Sequence, residues 1–72
     1  MKTTYEILEA SVKHTIEVME GIKDFDDLYD TYADMEGDIY KLLAYNAITS
    51  KEGETMLDIL NQAYDRLSDE IL

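Results

Sequence analysis

The sequence predicts an all-α fold, a small antiparallel three-helix bundle with helices over about 4–20, 25–46 and 50–71. Three observations predict it. Apolar residues recur at helical three-four spacing in three separate stretches. Helix-capping patterns stand ahead of each stretch. The chain has no Pro and only three Gly, so few positions break a helix. At 72 residues it reads as one helical domain, 1–72, because a split would leave two halves without cores.

The first helix opens on Thr3-Thr4-Tyr5-Glu6, a hydroxyl three residues ahead of a Glu, which is the capping-box form. Tyr5, Leu8, Val12, Ile16 and Met19 then follow one face. Gly21 comes next, and its freedom to turn left-handed marks the end of the helix, with Ile22 supplying a contact back onto the last turn. Ile7 and Val18 flank the stripe, so about half the circumference is apolar. That breadth suits a helix that touches both others or one that also meets a second chain.

Asp24 is a good N-cap for the second helix, with Asp26 and Asp27 in the first turn where the helix dipole favours anions. Phe25, Leu28, Tyr32, Met35, Ile39 and Leu42 hold one phase for about five turns. Gly37 lies inside this run and costs about 1 kcal/mol relative to Ala. The apolar phase passes through it without a jump, which predicts one long helix. The alternative is a kink or break at Glu36-Gly37-Asp38, with Asp38 as a new cap. Tyr29 and Tyr40 fall at the edge of the apolar arc, where a ring buries its body and wets its hydroxyl.

Asn46-Ala47-Ile48-Thr49 ends that helix, and Thr49-Ser50-Lys51-Glu52 is a second capping box that starts the third near Ser50. Its apolar set is Met56, Leu57, Leu60, Ala63, Tyr64, Leu67 and Ile71. The connections are short, so sequential helices pack as antiparallel neighbours.

Charge then narrows the function. Seventeen Asp and Glu against six Lys and Arg give a net charge of −11. Such a chain repels nucleic acid and anionic membranes, so neither is expected as a direct partner. Without Cys there is no disulfide, thiolate nucleophile or zinc–thiolate site. No apolar run approaches a membrane span and the N-terminal residues lack signal-peptide order, which makes a cytoplasmic protein the expectation. The 46% of apolar residues argues against plain disorder.

Chemistry is not expected. His14 has no Cys to activate, and Ser11, Ser50 and Ser68 sit in no nucleophile context. A lone helical His is more often structural or solvated. Asp24-Phe25-Asp26-Asp27 has a superficial likeness to a calcium loop, but the loop Gly and terminal bidentate Glu are missing. No Glu-x-x-His occurs, so the di-iron bundle pattern fails too. The chain therefore reads as non-enzymatic, with no catalytic, cofactor-binding or metal-binding residues and no cofactor.

What remains is where the negative charge lies. Asp24 to Asp38 holds seven acids and no base. Asp26, Asp30, Asp34 and Asp38 stand at strict four-residue intervals, about 6 Å apart along a helix and opposite its apolar arc. Asp27 adjoins this row and Tyr45 continues it. Like charges at this spacing destabilise a helix by about 0.2–0.5 kcal/mol per pair, and no Lys compensates. The interval is close to that between phosphates along a nucleic-acid strand, so the row offers a basic groove the charge pattern that groove binds. Asp26, Asp27, Asp30, Asp34, Asp38 and Tyr45 are the candidate partner-binding residues. Set against this is the ordinary reading of a charge run as a solvated face that aids solubility. The other helices are less one-sided: Glu6, Glu9, Glu17 and Glu20 are interrupted by Lys13, while Glu54, Asp58, Asp65 and Asp69 line the third helix.

In size, charge and helicity the chain resembles the small acidic helical proteins of bacteriophages that imitate nucleic acid to block restriction, CRISPR or host DNA-binding proteins. That resemblance implies an inhibitor whose partner is a basic, nucleic-acid-binding protein, and it carries over no individual residues. The alternative is a small adaptor or homodimerising module, with Ile7, Val18, Ile71 and Leu72 as the dimer or second interface and the acids conferring only solubility.

Overall fold

Each helix begins on a side-chain oxygen, because the first N–H groups of a helix have no intrahelical acceptor. The computed structural model covers residues 1–72 and contains α1 (Thr4–Glu20), α2 (Phe25–Ala44) and α3 (Ser50–Ile71). At α1 the Glu6 N–H donates to the Thr3 hydroxyl at 3.1 Å while the Thr3 N–H donates to the Glu6 carboxylate at 3.0 Å. Thr49 and Glu52 repeat this exchange at α3, at 3.1 and 2.8 Å. Asp24 caps α2 by accepting from the Asp26 N–H at 3.2 Å. Both capping boxes and the Asp24 cap form as the sequence predicts.

The helix ends are less literal. Gly21 does not turn left-handed; its φ of −90° and ψ of −7° are right-handed. Instead α1 tightens into its last turn, with Gly21 N–H donating to Val18 O at 3.1 Å and Ile22 N–H to Met19 O at 3.0 Å. The left-handed residue is Asn46, at φ 57°. Its N–H donates to Leu43 O at 3.1 Å and that of Ala47 to Leu42 O at 2.9 Å, a Schellman closure. This stops α2 at Ala44, two residues before the predicted end at 46. Asn tolerates the left-handed region better than other residues with a Cβ. The helix runs unbroken through Gly37.

The core gathers Leu8, Val12 and Met19 from α1, Leu28, Met35 and Ile39 from α2, and Met56, Leu60 and Leu67 from α3, with Ile48 entering from the α2–α3 connection. Full burial of such a side chain contributes about 1.5–3 kcal/mol. The α2–α3 seam is the most extensive of the three. Gly53 makes its close approach possible: a Cβ there would lie 2.6–2.8 Å from three side-chain atoms of Leu43. Polar groups are placed where partners exist. The Thr15 hydroxyl meets Met35 sulfur at 3.3 Å across α1 and α2, and the Ser68 hydroxyl donates to Tyr64 O at 2.6 Å. No buried side-chain nitrogen or oxygen lacks a partner. No helix is long and apolar enough to cross a membrane.

Candidate protein-interaction surface

α2 turns its apolar arc onto α1 and α3, and the opposite side of its backbone therefore faces solvent. Asp26, Asp27, Asp30, Asp34 and Asp38 are all exposed. With α2 unbroken, the four carboxylates at four-residue intervals span about 18 Å. Asp26 and Asp27 lie in the first turn, where the helix dipole offsets part of their mutual repulsion. Asp30, Asp34 and Asp38 lie beyond the reach of that dipole. The single ion pair of the molecule joins Arg66 to Glu20 at 3.6 Å, with both side chains about half exposed. A pair so exposed contributes under about 1 kcal/mol. None of the α2 carboxylates has a cationic partner. Tyr45 occupies the C-cap of α2 and is 77% exposed.

Two neighbouring features give this charge a setting. On the α1 side, Asp38 borders a shallow hollow of about 310 Å³ with Ile7, Ser11 and Lys41. On the α3 side an aromatic cluster forms. Tyr32 stacks on Tyr64 with centroids 4.3 Å apart, and Phe25 and Tyr29 each reach Tyr64 at 6.3 Å. The Tyr32 hydroxyl meets Glu36 at 2.8 Å and the Asn61 amide oxygen at 2.5 Å. Burial first, then the hydrogen bond and negative charge of Glu36, push the Tyr32 phenol up to about 12. Phe25, which the periodicity places in the core arc, sits at its rim instead, 37% exposed. Tyr29 and Tyr40 are about half exposed.

The remaining candidates do not assemble into one patch. Ile7 and Val18 are exposed on a common flank of α1, about 16 Å apart along its axis. Leu72 is exposed, but Ile71 is half-buried and packs against the core cluster. The largest groove, about 750 Å³, runs between α1 and α3 over Val12, Ile16, Met56 and Ile59. Lys2 and Lys13 stand among its glutamates, so its field is weaker than that of α2. Hydrogen bonding from the Thr3 backbone, and less from its side chain, holds Glu6 in this groove below the usual carboxylate range. No three His, Asp or Glu side chains converge in metal-binding geometry.

Pattern reading missed two things. Gly53 is invisible to it because a glycine adds nothing to an apolar phase. Tyr64 belongs to the aromatic cluster only once α2 and α3 are docked. Comparison with protein-family models, curated proteins and solved structures returns no match.

Proposed function

We propose that this chain is a non-enzymatic acidic inhibitor that docks the outward face of α2 on the basic groove of a nucleic-acid-binding or processing protein, in the cytoplasm. The observation that carries this reading is the unpaired row Asp26, Asp30, Asp34 and Asp38 on a continuous helix. Long-range attraction speeds such an encounter, and salt weakens it. A solvated face kept only for solubility would be expected to intersperse Lys, which lowers like-charge repulsion at no loss of hydration.

The test is capture by immobilised basic nucleic-acid-binding proteins, repeated with competing duplex DNA and with the Asp30→Lys/Asp34→Lys variant. Capture that DNA displaces and that the reversal abolishes supports the reading. Capture unchanged by the reversal overturns it. Exposed Ile7 and Val18 favour a second reading, a homodimeric module. For that reading, sedimentation equilibrium would give a dimer mass that Ile7→Ser returns to a monomer.

A further inference from the structure

We propose that the outward face of α2 between Tyr29 and Tyr40 is a seat for an arginine-bearing helix, in which tyrosine faces and carboxylates together select arginine over lysine. This rests on the reading that α2 meets a basic partner, and it names the chemistry by which that partner is recognised. The first observation is Gly37. A methyl group added there meets nothing within 4 Å. No internal contact requires a glycine, yet one stands in mid-helix where Ala would be favoured. Without a side chain at Gly37 the backbone of α2 is open to solvent there, a shallow shelf beside the half-buried Ala33 one turn earlier.

The walls of that shelf are chemically distinct. Tyr29 and Tyr40 are eleven residues apart, about three helical turns, and so project from the same flank about 16 Å apart. They are 51% and 54% exposed. The Tyr29 ring is set from within by Tyr32 and Tyr64, each at 6.3 Å. Asp30 and Asp34 form the other wall, both exposed and without counterions. Asp26, exposed, lies one turn before Tyr29, and Glu36, half-buried with one carboxylate oxygen accepting from the Tyr32 hydroxyl, one turn before Tyr40. The nearest base on this helix is Lys41, beyond Tyr40.

A guanidinium stacks flat on a tyrosine ring while its edge donors reach a carboxylate one turn away. An ammonium is compact and strongly hydrated, and gains less from the ring. Carboxylates alone favour arginine to a degree, because its fork donates two parallel hydrogen bonds where an ammonium acts as a point charge. The pairing of each half-exposed ring with an acid at helical spacing is what enlarges that preference. The shelf lets a partner helix approach closely enough for both rings to be used. A second copy of this chain is a poor occupant, because its net charge of −11 opposes contact at an acidic face.

The experiment uses two labelled amphipathic peptides of about four helical turns, identical except that one carries Arg and the other Lys at every basic position. Fluorescence anisotropy against the full chain is expected to give about tenfold tighter binding of the Arg peptide. Tyr29→Leu/Tyr40→Leu keeps every charge and should remove most of that preference. Gly37→Gln also keeps every charge, favours the helix, and should weaken the Arg peptide by about tenfold through filling the shelf. Circular dichroism verifies that each variant is folded. Equal affinity for the two peptides, or an Arg preference undiminished in the tyrosine variant, overturns the proposal, as does Gly37→Gln binding like the parent. Failure here with binding still lost in Asp30→Lys/Asp34→Lys would leave the broader acidic-inhibitor reading standing. Failure of that reading instead shows as indifference to the charge reversal.

Discussion

Gly53 and Gly37 are both helical, and their surroundings are opposite. At Gly53 the seam between α2 and α3 closes so tightly that Leu43 occupies the space of a side chain. At Gly37 the same construction meets empty solvent. One glycine is demanded by packing inside the molecule and the other by nothing inside it. The contrast extends to the flanks of α2 on which they bear. The inner flank is fixed by shape, through Leu28, Met35, Ile39 and the Tyr32–Tyr64 stack. Its outer flank holds unpaired like charges, half-exposed rings and a helix-weakening residue, each unfavourable for the isolated chain. Features that an isolated fold does not need are where a partner's influence on the sequence is to be sought.

The comparison can be broken most sharply at Gly53. A branched side chain has no room beside Leu43, so Gly53→Val should lose about 2–3 kcal/mol in a denaturant melt. Leu43→Ala in the same chain should restore part of that loss. A Gly53→Val chain as stable as the parent would show the seam to be loose. The next effect lies in pH. The folded Tyr32 keeps its proton to about 12, while in the unfolded chain it is released near 10. The unfolded state therefore binds fewer protons over that interval, so Tyr32 contributes no slope below it and lowers stability as pH rises through it. Tyr32→Phe should remove this share of the alkaline loss. At Gly37 the sign reverses, and Gly37→Ala should gain about 1 kcal/mol. The smallest effect is on the acid row. Asp34→Asn relieves the pairs with Asp30 and Asp38, gaining about 0.2–0.5 kcal/mol for each. Raising salt to about 0.5 M should move the thermal midpoint of the parent in the same direction.

Most of the fold was legible because helices are local. Thr3, Asp24 and Thr49 announce their helices within four residues of chain, and each apolar stripe repeats without a gap. Ends were read less well. A glycine after a helix invites a left-handed reading, but Gly21 remained right-handed while Asn46 took the turn and shortened α2. Whether a helix stops depends on which carbonyls find donors, and spacing does not encode that. The exposure of Asp26, Asp30, Asp34 and Asp38 followed from the wheel alone, being a property of one helix. The aromatic cluster and the wedge at Gly53 were not legible, because each joins residues of α2 and α3 through a crossing that no single helix specifies. The half-burial of Ile71, by contrast, agrees with its place in the apolar set of the third helix and not with a second role at an exposed interface.

The stacked pair of Tyr32 and Tyr64 makes the protein its own optical probe. The chain has six Tyr, one Phe and no Trp, so near-ultraviolet dichroism and emission come chiefly from tyrosine. The coupled rings of Tyr29, Tyr32 and Tyr64 straddle the α2–α3 seam, and their chiral signal vanishes when that seam opens. Tyr40, half-exposed, and Tyr45, exposed, lie outside that stack and report on whatever covers them. Melting of the fold and occupancy of its outer face can thus be followed in one unlabelled sample, at one range of wavelengths.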